Sequence, residues 1–105
     1  MSHIKDRVEV ISIKLIQTNP IMLFSKTYCG FCAKAKATFK ELNVEPGIVE
    51  LDDDPEGTDI QEYLKEKTNQ RTVPNIFING KHVGGYDNLS AAKADGSLNE
   101  MIKAL

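Results

Sequence analysis

Ile21-Met22-Leu23-Phe24 is the longest uninterrupted apolar run in the chain. It shows no polar alternation, so it reads as a strand buried on both faces, and such strands belong to sheets covered by helices. Four residues also fall far short of the roughly 20 that span a bilayer, so no transmembrane helix is expected. At 105 residues there is room for one domain, 1–105, since single domains usually run to roughly 100–150 residues.

The elements around that strand follow from periodicity. Residues 4–17 place Ile4, Val8, Ile11 and Leu15 at helical spacing, while Ile11, Ile13 and Leu15 alternate as in a strand; length and the charges of Lys5, Asp6, Arg7 and Glu9 favour a helix. From Cys29 onward, Phe31, Ala35, Phe39 and Leu42 mark an amphipathic helix that ends across Asn43 to Gly47. Ile48 to Leu51 is the next strand, followed by the acidic turn Asp52-Asp53-Asp54-Pro55. Thr58 with Gln61 makes a capping-box pattern, opening a helix with Ile60 and Leu64 on one face. Ile76-Phe77-Ile78 and Lys81-His82-Val83 flank Asn79-Gly80, a strong hairpin signal. A last helical region holds Leu89 to Lys93, a break at Asp95-Gly96, and a second capping-box pattern at Ser97 and Glu100. The expected class is α/β, a small four-stranded mixed sheet flanked by helices, with an early parallel pair and a later antiparallel edge.

Composition narrows the function. Thirteen basic and fifteen acidic side chains leave a net charge of −2, so the footprint of a nucleic-acid binder is missing. The first seven residues mix acid and base and lack the apolar core and cleavage site of a secretory signal, so a cytoplasmic location is expected. Two cysteines cannot build a multi-bridge scaffold or close a four-ligand zinc site. Redox chemistry is the leading use. His3 and His82 are too scattered for a metal site, with His82 expected to face solvent, and the aspartate run lacks the spaced ligands of a calcium loop. Lys34, Lys36 and Lys40 could steer acidic partners, although a solvated helix face is the simpler reading.

Cys29-Gly30-Phe31-Cys32 stands where the buried strand gives way to a helix. At a helix start the unpaired N–H groups and the dipole stabilise an anion, and Lys26 adds positive charge, so the Cys29 thiol is expected in the range of roughly 3.5–7.5 found at such sites. Cys32, one turn on, should be more buried, less acidic and suited to resolve a mixed disulfide; two packed structural thiols are the alternative. Thr72-Val73-Pro74 precedes a strand, and proline there cannot donate to the ladder. If the bond before Pro74 is cis, Val73 presents a free N–H and C=O to a peptide-like ligand; an ordinary strand-initiating proline is the alternative. Gly84-Gly85-Tyr86-Asp87-Asn88 permits positive φ and close approach, with Asp87 or Asn88 capping a helix whose start could hold a carboxylate.

Taken in order along the chain, Lys26 to Cys32, Gln70-Arg71-Thr72-Val73-Pro74 and Gly84 to Asn88 resemble the glutaredoxin family. The resemblance implies a thioredoxin fold, a cis Pro74 and a glutathione groove. In that groove Lys26, Gln70 and Arg71 would hold the glycine carboxylate, Val73 would pair with the cysteinyl backbone, and Asp87 and Asn88 would take the γ-glutamyl end, with Phe31, Thr72, Pro74 and Gly85 completing it. Cys29 and Cys32 would be the catalytic pair. The implied activity is that of a glutathione-dependent oxidoreductase for glutathione mixed disulfides and protein disulfides, a monomer served indirectly by glutathione reductase and NADPH. Gly30 and Phe31 depart from the Cys-Pro-Tyr-Cys of dithiol members and match three residues of the Cys-Gly-Phe-Ser of the monothiol, iron–sulfur class. That makes a glutathione-ligated [2Fe-2S] dimer, with Cys29 as its protein ligand, the alternative function. A thioredoxin-type reductase is disfavoured because the chain has no Trp and Tyr28 precedes the motif.

Overall fold

The computed structural model describes the backbone of residues 3–105 and the side chains of residues 6–105. In chain order the elements are α1 (His3–Thr18), β1 (Ile21–Ser25), α2 (Gly30–Glu41), β2 (Gly47–Glu50), α3 (Gly57–Thr68), β3 (Asn75–Ile78), β4 (Lys81–Gly84), α4 (Tyr86–Asp95) and α5 (Ser97–Lys103). The sheet order is β2-β1-β3-β4, with β2 parallel to β1 and β3 antiparallel to both β1 and β4. This mixed sheet between helices is the thioredoxin fold. No helix among the described residues is long and apolar enough to cross a membrane.

Every residue of β1 is buried, as the apolar run requires. Because successive strand side chains point to opposite faces, the strand feeds two cores. Met22 and Phe24, with Phe77 of β3, meet Val8, Ile16, Ile60 and Leu64 of α1 and α3. Ile21 and Leu23, with Ile76 and Ile78, meet Ala35 and Phe39 of α2, Leu89 of α4 and Leu98 of α5. Phe24 and Phe77 lock the first core edge to face, 6.1 Å between centroids at 85°, a geometry worth about 0.5–1.5 kcal/mol beyond the area it buries.

Residues 4–17 are helical throughout, which resolves the strand alternative. The stripe facing the core runs through Val8, Ser12 and Ile16, with Ile11 and Leu15 only half-buried beside it. The side chains of Ile4 and Lys5, which entered the periodicity, and of His3 lie outside the described residues. Ser12 is fully buried, and its hydroxyl has no hydrogen-bond partner.

Three boundaries differ from the sequence expectation. The second strand spans Gly47–Glu50, and Leu51 turns out of it to pack into the core. The Thr58–Gln61 capping box does not form: Glu56 is the N-cap and Gln61 instead donates to the Arg71 carbonyl at 2.8 Å. The cause is Gly57, whose absent Cβ would sit 1.7 Å from the Leu51 carbonyl oxygen, so backbone pressed on backbone fixes the start of α3 two residues early. Nor does Ser97 cap α5. It is the first helical residue after Gly96, and its N–H donates to Asp95 Oδ1 at 2.8 Å.

Two substitutions test this packing by chemical denaturation. Gly57→Ala is expected to destabilise by at least about 2 kcal/mol, because the helix must move off Leu51 to admit a methyl group. Ser12→Ala is expected to stabilise by about 1 kcal/mol, since it deletes a buried hydroxyl that bonds to nothing; a loss of stability would show that the hydroxyl is satisfied.

Candidate active site

β1 ends at Ser25, and the turn through Lys26, Thr27 and Tyr28 delivers Cys29 to the N-cap of α2 in an extended conformation, φ −93° and ψ 117°. The Cys29 N–H donates to the Lys26 carbonyl at 3.1 Å. Its sulfur accepts the Cys32 N–H at 3.2 Å, one of the helix-start donors that has no partner within the helix. Cys29 is half-exposed and Cys32 fully buried, both as free thiols. Burial foremost, and then the side-chain hydrogen bond with Cys29, pushes the Cys32 thiol above its ordinary range. The two sulfurs therefore differ in access, Cys32 being the more buried, as its place one turn into the helix led us to expect.

The turn before Cys29 is pinned from outside. Thr27 donates its N–H to Asp52 Oδ1 at 2.9 Å and its hydroxyl to Asp52 Oδ2. The Thr27 hydroxyl foremost, and then its N–H, holds the Asp52 carboxyl below the usual carboxylate range. Asp54 is also engaged, accepting the Glu56 N–H at 2.8 Å. The acidic run is thus more than the solvated turn it resembles in sequence: Asp52 ties the exit of β2 to the loop that carries the cysteine.

The Val73–Pro74 peptide is cis. The Cys29 thiol donates to the Val73 carbonyl at 3.7 Å, and the Val73 N–H has no partner among the described hydrogen bonds. A cavity of about 400 Å³ opens there. It is lined by Phe31, by Gln70, Thr72, Val73 and Pro74 of the cis-proline loop, and by Gly85, Tyr86, Asp87 and Asn88 at the start of α4. Of the residues the resemblance assigns to glutathione, Lys26 and Arg71 are outside this lining.

Several side chains do other work than expected. Gln70 Nε2 donates to the carbonyls of Thr72 at 3.0 Å and Pro74 at 2.9 Å, so its amide braces the cis-proline loop. Asn88 Nδ2 donates to the Val83 carbonyl at 3.1 Å. Gly84 lies at φ 120°, and a Cβ there would stand 2.1 Å from that amide nitrogen, so positive φ and close approach both require glycine. Neither Asp87 nor Asn88 caps α4. Gly85 is the N-cap without a side-chain bond, because the chain is already helical from Tyr86, two residues before an Asp87 cap would start it. Tyr86, not singled out from sequence, lines the cavity and packs on Phe31 with 6.1 Å between centroids. His82 is exposed as expected, yet its Nε2 lies 2.8 Å from Oδ1 of buried Asn75, and burial of that side lowers its pKa.

The Asp52 clamp has a pH signature. A carboxyl held below its unfolded value contributes stability above that value, near 3.9, and loses it as the pH falls through the folded value. The melting temperatures of the native chain and of Asp52→Asn should therefore differ at pH 6 and converge as the pH is lowered towards 2. Parallel curves across that range would show that the carboxylate charge plays no part.

The family model for Glutaredoxin matches residues 21–83, which contain the cysteine pair and the cis-proline loop. Glutaredoxin-1 of Rhizophagus irregularis is 70% identical over 105 residues, covering all of both chains. Glutaredoxin-C4 of Arabidopsis thaliana is 46% identical over 89 residues, 85% of this chain and 66% of that one. Among solved structures, a buckwheat glutaredoxin–glutathione complex superposes with a TM-score of 0.96 at 38% identity, covering 99% of this chain and 94% of the other. The holo form of glutaredoxin C1 from Populus tremula x tremuloides gives 0.91 at 32% identity, covering 94% and 98%. With the paired thiols at a helix start, the cis-proline loop and this likeness along its length, the chain belongs to the glutaredoxin family of thiol–disulfide oxidoreductases.

Proposed function

We propose that the protein reduces glutathione mixed disulfides through Cys29 alone and protein disulfides through Cys29 and Cys32 together. The observation that supports this best is the setting of the Cys29 sulfur: half-exposed, receiving a helix-start N–H, and hydrogen-bonded to Val73, which lines a cavity and whose N–H has no partner among the described hydrogen bonds. A γ-linked tripeptide fits such a groove. Val73 pairs with its backbone, and the uncapped first turn of α4 at Tyr86 and Asp87 receives its γ-glutamyl carboxylate. Glutathione bound to the buckwheat relative supports the same ligand here. Lys26 and Arg71 lie beyond the cavity lining and meet the glycine carboxylate at its edge.

In the monothiol route the Cys29 thiolate attacks the glutathione sulfur of the mixed disulfide. The protein thiolate leaves, and Cys29 becomes glutathionylated. A second glutathione thiolate attacks the bound glutathione sulfur, releasing oxidised glutathione and regenerating Cys29. In the dithiol route Cys29 attacks a protein disulfide, and Cys32 then displaces the substrate by attacking the Cys29 sulfur, leaving the Cys29–Cys32 disulfide. Cys32 must lose its proton for that step, and its raised pKa keeps it protonated near neutrality. The reductant is glutathione, renewed by glutathione reductase and NADPH.

A [2Fe-2S] cluster is the weaker reading. Among the described residues no three of His, Cys, Asp or Glu gather to hold a metal, and Cys32 is fully buried. One chain offers a single accessible sulfur, Cys29, so the four ligands of such a cluster would have to be the Cys29 sulfurs of two chains and two glutathione thiolates.

An assay on a glutathione mixed disulfide, coupled to glutathione reductase and NADPH, tests the roles. Cys29→Ser should abolish turnover, while Cys32→Ser keeps it and loses only protein-disulfide reduction. If Cys32→Ser loses the mixed-disulfide reaction as fully as Cys29→Ser, the assignment fails. Because the Cys32 pKa is raised, its thiolate fraction grows as the pH increases above neutral. In single turnovers without free glutathione, closure of the Cys29–Cys32 disulfide on a protein-disulfide substrate should therefore speed up more steeply between pH 7 and 9 than glutathionylation of Cys29, and equal slopes would contradict the resolving role.

A further inference from the structure

The three lysines along α2 have different fates. Lys36 pairs with Glu50 at 2.7 Å, and Lys40 is exposed with no carboxylate within 4.0 Å among the described residues. Lys34 also lacks a carboxylate partner, but it is held in place: its Nζ lies 5.2 Å from the centre of the Phe31 ring and 5.9 Å from that of Tyr86. An ammonium over an aromatic face is attracted by the ring quadrupole, and this contact leaves its three N–H donors available. The two rings line the cavity, and Phe31 remains 55% exposed. A fixed, unneutralised positive charge therefore stands at the rim of the groove beside Cys29. Asp87, in the adjoining first turn of α4, makes no ion pair with it.

We propose that Lys34 selects among protein substrates by binding the carboxylate of an Asp or Glu two or three residues from the modified cysteine. This deepens the glutathione reading and rests on it: with glutathione in the cavity and its sulfur against Cys29, the polypeptide half of the mixed disulfide runs from the glutathione sulfur over the outer, exposed side of Phe31. The distances match. Lys34 is five residues beyond Cys29, about 7.5 Å of helical rise, and an extended polypeptide advances about 3.3 Å per residue. The second or third residue from the bonded cysteine thus arrives alongside the ammonium. Tyr28, 75% exposed next to Cys29, offers a further aromatic surface for the passing chain.

The test uses the full chain and two glutathionylated peptides of one neutral sequence, with Glu or Lys at the second and third positions on both sides of the cysteine. The mixed disulfide of glutathione and 2-mercaptoethanol, which has no peptide, reports the groove itself. The Glu peptide should be preferred in kcat/KM by about fivefold at low ionic strength, chiefly through KM, the size expected of an exposed ion pair, and the preference should shrink with added salt. Lys34→Arg should preserve it, since guanidinium also stacks on aromatic rings, and Lys40→Glu should preserve it too. Lys34→Glu should reverse it. Equal use of both peptides by the native chain, or a preference that survives Lys34→Glu, would overturn the role of Lys34 while turnover of the peptide-free substrate upholds the groove. No turnover of the peptide-free substrate would overturn the glutathione reading, and this proposal with it.

Discussion

The burial of β1 in two cores sets the site downstream of it, including the hydrogen bond from the Cys32 N–H to the Cys29 sulfur. That bond exists because the reactive residue is the N-cap of α2, and Cys29 is the N-cap because β1 ends where it does. β1 in turn has no freedom: its side chains are divided between two cores, and a slip of one residue would exchange every one of them. The site thus inherits its position from apolar packing several residues upstream. Backbone N–H groups at a helix start have no intrahelical partner, so the sulfur uses donors that the fold leaves over.

The second half of the site comes from distant chain. The cis-proline loop is braced by Gln70 through the Thr72 and Pro74 carbonyls and by Gln61 through that of Arg71. These amides hold the Val73 carbonyl beside Cys29, and Val73 itself lines the cavity. On the far side of the motif, Asp52 fastens Thr27. The result is a sulfur tied down on both flanks, beside a groove that Phe31 helps to line and next to the exposed ring of Tyr28.

Much of this was legible in sequence because it depends on local chemistry. The unalternating run at Ile21, the Asn79-Gly80 hairpin and the spacing of the two cysteines each fix an element or a junction without reference to anything distant. The cis bond at Pro74 was not legible from the residues and came only with the family resemblance. The two capping boxes misled: Gly57 pressed against the Leu51 carbonyl moved one helix start, and at the other the left-handed Gly96 is itself the N-cap, which makes Ser97 the first helical residue. Thr27–Asp52, Phe31–Tyr86 and the seat of Lys34 join residues separated by 25, 55 and up to 52 positions, pairings that periodicity does not encode. Ser12 was hidden in the other direction, as a polar residue within an apolar stripe.

The central claim is that Cys29, and not Cys32, is the exposed nucleophile in a groove shaped for glutathione. It is tested most directly by labelling the reduced native chain with a limiting amount of iodoacetamide at neutral pH and mapping the alkylated peptides over time, with and without S-methylglutathione, which can fill the groove but cannot form a disulfide. The structure predicts labelling of Cys29 at least about tenfold faster than Cys32, and slowing of the Cys29 reaction alone when S-methylglutathione is present. Comparable rates at the two cysteines, or a Cys29 rate indifferent to S-methylglutathione, would contradict it.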